Sequence, residues 1–181
     1  MPQPKKDSDL LSMIEHQQSV LKVLVLQKDC EARWTEKNNE THYGYKNHAK
    51  VDAKSKLVDG YTTTAANVHD SQVLDELIGE SDEAVFADSA YFSQASDDLL
   101  IAKNCQNFIL FKGSRGQPLS EEQRAVNKLR SRIRVRCEHV FGRMSQMAMD
   151  RLRTIGLLRA EQHNGLCNLV YNMDRYAFLS L

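Results

Sequence analysis

Between Ser120 and Met147 the apolar residues Val126, Leu129, Ile133, Cys137, Val140, Met144 and Met147 recur at spacings of 3, 4, 4, 3, 4 and 3. That period is one face of an α-helix, and a stripe of this length must be covered by another layer of the fold. Ser120, three residues before Gln123, predicts where the helix begins, through a capping box. Arg130, Arg132, Arg134, Arg136, His139 and Arg143 occupy the remaining faces, so the rod is cationic wherever it is not buried. Residues 112–159 hold 12 Lys and Arg against 4 Asp and Glu, whereas residues 1–111 hold 11 against 18. A chain of zero net charge thus contains a strongly basic segment, an asymmetry that suits a polyanionic partner.

The rest of the chain supplies the layer. Tyr43–Val51 and Leu57–Thr64 are β-rich runs joined by the polar turn Asp52–Lys56, which predicts a hairpin. His69-Asp70 or Asn67 can cap a short helix through Leu77-Ile78. A strand ending at Asp88, a helix over roughly 93–103 and a strand at 107–111 follow, and "KGSRGQP" (112–118) is a loop. Strands and helices interleaved behind an antiparallel pair predict an α/β domain with a mixed sheet. Residues 27–40 are polar and loop-like, with Asn38-Asn39 as a turn signal. In the first 27 residues, 8–19 reads as a helix, with Ser12 and Glu15 matching a capping box, and Val20–Leu26 as its extension or a strand. Leu166, Leu169, Val170, Met173, Tyr176 and Ala177 lie at helical spacing and predict a final helix packed through them on the core.

With 181 residues the chain is large enough for one domain with a real core. Cys30, Cys105, Cys137 and Cys167 are scattered and fit neither a disulfide framework nor a zinc knuckle. His42, His48 and His69 have no zinc-motif spacing. The longest apolar run, "VLKVLVL", is too short to span a bilayer. These features predict a soluble protein of a reducing cytoplasm.

Two carboxylates carry chemistry. Asp88 stands directly behind the strand-like Ala84–Ala87, where an Asp starts turns but where open α/β sheets also gather catalytic groups. Glu138 lies about 100° off the apolar stripe of the long helix, at the seam between core and solvent, with Arg134 one turn before it. Alone, Arg134 and Glu138 are an i,i+4 surface pair worth a few tenths of a kcal/mol. Together, Asp88 and Glu138 offer the oxygen donors that Mg²⁺ takes, and two such ions can assist an in-line displacement at phosphorus. That chemistry usually needs three carboxylates. Lys46 and His48 share one face of the hairpin and join the helix cations as candidate DNA contacts.

The runs "KDCEARWT", "YGYKNHAKVD", "TAANVHDSQV", "FADSAY", "RVRCEHVFG" and "RTIGLLRAEQHNGLCNLVYNM" resemble, in order, the catalytic domain of bacterial insertion-sequence transposases of the DDE type, IS5-like group. The resemblance implies an RNase H-like mixed sheet with flanking helices, in the order β-β-β-α-β-α-β-α. It implies that Asp88 and Glu138 are catalytic metal ligands and that Arg134 is the arginine accompanying that Glu. The implied cofactor is Mg²⁺ in a two-metal site, with Mn²⁺ as substitute. The implied partners are DNA, as transposon ends and target, and a homodimer or a full-length transposase, in the cytoplasm at the nucleoid.

Two departures qualify the match. The extended signature of such helices places Tyr and Lys where this chain has Ser131 and Ser145. The family's first catalytic Asp lies on a first strand upstream of the hairpin, and residues 1–27 match neither that strand nor a DNA-recognition region. The expectation is therefore a catalytic domain at 28–181 behind an atypical segment, its first strand missing or replaced and its triad incomplete. Such a chain cleaves poorly alone, or serves as a non-catalytic DNA- or transposase-binding fragment. Asp29 is the first residue to consider as a substitute ligand, although it resembles the family's own linker.

Overall fold

The computed structural model describes residues 29–37 and 39–181, so the expected helix at 8–19 and the Val20–Leu26 run lie outside the described residues. Three antiparallel strands come first: β1 (Arg33–Lys37), β2 (Glu40–Val51) and β3 (Val58–Ala65). The hairpin β2–β3 matches the expected one. Its turn is fixed by the Asp52 carboxylate, which accepts the Ser55 N–H at 2.6 Å, while Lys56 turns the chain at φ 62°.

Residues 33–37 are not the loop their polarity predicts. They pair with β2 from Arg33 opposite Gly44 to Lys37 opposite Glu40. The connection has only two residues, and Asn39 sits at φ 64°, a left-handed conformation that asparagine tolerates. Trp34 stands opposite Tyr43 with ring centroids 5.0 Å apart. This ribbon is largely exposed, so no alternation of apolar and polar residues marked it as a strand.

The second half is a βαβ arrangement. A 3₁₀ turn at Asp70–Val73, capped by His69, leads into α1 (Leu74–Leu77), and β4 (Ala84–Val85) pairs in parallel with β5 (Gln106–Asn107) across α2 (Gln94–Ala102). Hydrogen bonds from Phe108 N–H to Val85 C=O (2.9 Å) and from Leu110 N–H to Ala87 C=O (3.1 Å) carry the pairing up to Asp88. Leu74, Ile78, Leu100, Cys105 and Ile109 form the core of this half. The domain is therefore mixed α/β with two small sheets.

Helix α3 (Glu121–Gln146) starts at Ser120 with the predicted capping box. Its stripe divides. Val140 and Met144 are buried against Val58 and Tyr171 in a second core, but Leu129 is exposed. The amino-terminal half is held instead by Asn127, whose amide pairs with both backbone groups of Phe111 at 2.9 and 3.0 Å.

Helix α4 (Leu157–Leu179) reverses expectation. Leu166, Leu169, Val170, Met173, Tyr176 and Ala177 are exposed, and the face on the sheet is mainly polar. Asn164 donates to Thr63 Oγ1 at 2.9 Å, and Asn168 accepts from Asn47 at 3.2 Å. Asn172 accepts from Val58 N–H and donates to Val58 C=O, both at 2.8 Å, taking the place of a neighbouring strand. Partly buried peptide groups need partners, and Asn172 supplies them to Val58 where leucine cannot, while Asn164 and Asn168 meet side-chain groups of the sheet. The signal was present as three asparagines at i, i+4 spacing, a residue type that ordinarily weakens a helix interior.

The amino-terminal end of α4 is anchored from far away in sequence. Gly156 N–H donates to Asp29 Oδ2 at 3.1 Å and Leu157 N–H to Glu31 Oε2 at 2.9 Å, which caps two otherwise open helix donors. Gly156 has φ 96°, and an added Cβ would lie 3.3 Å from that Glu31 oxygen.

Replacing Asn172 with Ala leaves both Val58 peptide groups unpaired. Loss of about 2 to 3 kcal/mol is expected, read as a lower urea midpoint at unchanged m-value, whereas an unshifted midpoint would mean that water replaces the amide freely.

Candidate active site

Asp88 follows the last hydrogen bond of the β4–β5 ladder, so its backbone is fixed by the sheet. Its Oδ1 accepts the Ser89 N–H at 2.6 Å and starts the 3₁₀ turn Ser89–Tyr91. The turn role and the site position thus coexist, because the second oxygen faces elsewhere. Oδ2 lies 3.9 Å from Arg134 Nη1, while Arg134 Nη2 lies 2.7 Å from Glu138 Oε1. One guanidinium stands between the two carboxylates, and its rigid fork limits the separation of these oxygens to no more than about 9 Å. Asp88 and Glu138 are about half exposed and Arg134 is partly buried. The Nε of Arg134 is buried and has no hydrogen-bond partner among the described residues.

These three residues border a groove of about 1080 Å³ lined by β2, by residues 84–88 and by residues 133–141 of α3. Sheet β1–β3 forms one side and β4 the other, and the two sheets are not hydrogen-bonded to each other. Tyr91, which sequence reasoning did not single out, also lines the groove. Burial first, and then the charges of Asp70, Cys137 and Asp88, push its phenol up to about 12, so it stays a neutral donor.

The candidate DNA contacts separate. Arg132 is exposed. His139 is exposed, and its Nδ1 lies 3.2 Å from Lys56 Nζ. Arg136 donates to the Ala53 carbonyl, and Arg143 makes a two-pronged pair with Asp174 at 2.8 and 2.9 Å. Lys56 and Arg175, overlooked in the sequence, stand with His139 and Arg143 around a small cavity where the hairpin turn meets α3 and α4. No local motif announced them, since three distant elements make the cluster.

Three of the expected DNA contacts are committed to the fold. Arg130 donates to Ile109 C=O at 2.5 Å, with its guanidinium over the rings of Phe108 (5.6 Å) and Phe111 (4.7 Å). Lys46 donates to Val68 C=O at 2.9 Å and pairs with Asp70 at 3.3 Å. His48 is only 6% exposed, with Nε2 2.8 Å from Thr64 Oγ1. Their hairpin face turns inward against the 66–70 loop, a choice that alternation along a strand leaves open.

Asp29 is likewise occupied. Its carboxylate accepts from Tyr45 O–H at 2.7 Å and from the N–H groups of Glu31 and Ala32 at 3.2 Å and Gly156 at 3.1 Å. Burial raises its pKa, but these hydrogen bonds outweigh it and hold the group below the ordinary carboxylate value. It is an anchor for α4.

The donor set fits a hard divalent cation in kind. Asp88 and Glu138 supply carboxylate oxygens, and one or two carboxylates with water are enough for Mg²⁺. It does not extend to a full two-ion set, because no group of three His, Cys, Asp or Glu side chains converges among the described residues.

A carboxylate at a strand end and another on a neighbouring helix thus meet through one arginine in a groove walled by a basic helix. The transposase DDE domain family matches residues 12–173, and the chain belongs to that family. Its family acts in DNA transposition, binds DNA and generally uses a divalent metal ion. No solved structure matches the chain closely. Among the described residues no helix is long and apolar enough to cross a membrane.

Burial of His48 lowers its pKa from the ordinary 6.5 and outweighs the opposing pull of Asp70. The unfolded chain therefore takes up this proton first as pH falls. The His48 contribution to stability is complete above about pH 6.5 and declines as pH drops from there toward the folded-state value. His48→Gln should flatten that part of the stability profile, measured by urea unfolding from neutral to mildly acidic pH; an unchanged profile would exclude His48 as its source.

Proposed function

We propose that this chain is the catalytic domain of an insertion-sequence transposase of the IS5-like group, with an RNase H-like fold, acting on transposon ends and target DNA in the cytoplasm at the nucleoid. Its reaction is strand cleavage and transfer with Mg²⁺, or Mn²⁺ in its place. The observation that carries the reading is the single Arg134 guanidinium within 4 Å of both Asp88 and Glu138. The split sheet, with a groove between β2 and β4, supports the view that a further strand belongs to this architecture.

Each residue has a task in this reading. Ser89 N–H holds one Asp88 oxygen and leaves the other, which faces Arg134, to bind a cation. Glu138 is carried on α3, whose attachment to the core through Val140 and Met144 fixes its height along the groove. Arg134 keeps the two carboxylates from repelling one another. Arg132, Arg136 and His139 line the outer faces of α3 and hold the DNA backbone electrostatically. A bound divalent ion would favour deprotonation of the attacking oxygen and offset charge on the leaving one.

A second reading is a non-catalytic fragment that binds DNA, a second copy or a full-length transposase. It draws on the two-carboxylate donor set, to which no third His, Cys, Asp or Glu converges among the described residues.

Titration with Mn²⁺, followed by its paramagnetic resonance signal, separates the ligand assignment from turnover. Asp88→Asn and Glu138→Gln should each weaken Mn²⁺ binding by at least about tenfold, the loss seen even when a residue that only orients a ligand is removed, and unchanged binding in both would sink the assignment. Nicking of DNA carrying the parent element's ends should be feeble with the chain alone. Robust nicking abolished by either substitution would establish that a third ligand is supplied, and absent nicking with intact DNA binding is the outcome of the second reading.

DNA affinity should fall steeply with salt. Reversing Arg132 and Arg136 to Glu should reduce the slope of log K against log salt by about 2. A slope that does not change would remove this face of α3 from the DNA interface.

A further inference from the structure

Helix α4 presents amides to the sheet and hydrocarbon to the outside. Leu166 is 63% exposed, Leu169 55%, Met173 63% and Tyr176 66%, with Val170 and Leu179 exposed beside them. The four stand at spacings of 3, 4 and 3, the a/d seam by which one helix packs into another. Such a contiguous apolar strip stands at the upper end of what a monomer's surface carries, and patches of that size mark interaction sites.

We propose that this seam is a dimer interface and that its occupant is α4 of a second copy, packed antiparallel about a twofold axis passing beside residue 171. The seam is self-complementary in that register. Leu166 lies opposite the partner's Tyr176, and Leu169 opposite the partner's Met173, and the twofold repeats both layers. The next layer outward sets Gln162 opposite the partner's Ser180, so polar residues close both ends of a four-layer apolar core. A parallel pair would instead stack Arg159 on its own copy, a like-charge contact at a seam position. The twofold makes the interface closed rather than fibre-forming.

The area suits a reversible dimer. Helix α4 has 23 residues and is about 34 Å long. Burying six large side chains at on the order of 100 Å² each removes roughly 600 Å² per copy, the lower limit for a specific interface. Association is therefore expected to depend on concentration. The proposal stands apart from the cleavage reading, because Asp88, Arg134 and Glu138 take no part in it and loss of metal binding would not affect it.

Sedimentation equilibrium of the full chain over roughly 1 to 100 µM, the range a small interface calls for, should show monomer passing to dimer. Leu169→Asp/Met173→Asp should remain monomeric with an unchanged thermal midpoint at low concentration, since these side chains lie on the outer face. Leu169→Cys/Met173→Cys should form an oxidised dimer beyond that of the parent, and Leu169→Cys alone should not, which distinguishes antiparallel from parallel packing. A dimer that survives the double Asp substitution overturns the proposal. So does a parent monomeric throughout; if the double Asp variant then also has a lower thermal midpoint, the seam is covered within its own chain.

Discussion

The backbone of Val58 has both its N–H and its C=O bonded to one side chain, the Asn172 amide. That contact sets the height and rotation of α4 against β3, and Asn164 and Asn168 add side-chain bonds to Thr63 and Asn47 along the helix. With α4 placed, Tyr171 reaches the Lys56 carbonyl at 2.9 Å and joins Val140 and Met144 in the core beneath α3. The position of α3, and so of Glu138, follows from amide hydrogen bonds made by a different helix. Polar contacts of this kind are directional, and they specify one orientation where a greasy face would accept several.

The candidate site depends on two separate rigid supports. Asp88 is delivered by the parallel pairing of β4 with β5, and Glu138 by α3, which touches that half through Asn127 and Arg130. Arg130 sits over Phe108 and Phe111 while donating to Ile109, so it ties the helix to the strand segment beside β4. A cation removed from the DNA-facing set therefore helps to hold the site together. Arg134 then meets both carboxylates from the helix side. Its charge stabilises their approach, and a cation binding between them would compete with it for the same oxygens.

The anchoring of α4 by Asp29 and Glu31 gives the "KDCEARWT" run a physical meaning. Asp29 takes the Gly156 N–H and the Tyr45 hydroxyl at once, so one side chain joins the amino-terminal end of the described chain, strand β2 and the last helix. This closure explains why an acidic residue stands in a stretch without a regular pattern of its own.

Local order was legible in the sequence wherever a local cause produced it. The capping box at Ser120, the Asp52 turn, the hairpin and the end of a strand at Asp88 all rest on interactions within a few residues, and the α3 period already placed Arg134 beside Glu138. Orientation was not legible. Periodicity shows that α4 has an apolar face but not which side the sheet takes, and only the polar groups the sheet offers, the Val58 peptide with the side chains of Thr63 and Asn47, decide that the asparagines go inward. Lys46 and His48 alternate correctly along β2, yet the direction of that face depends on the 66–70 loop. Arg130 looks like any other surface cation until Phe108 and Phe111 arrive from another element. The sequence by itself determined the elements other than β1, their order and the residue types able to do the chemistry. The tertiary structure alone decided which charges remain available, because pairing, burial and hydrogen bonding are made between segments that sequence spacing does not relate.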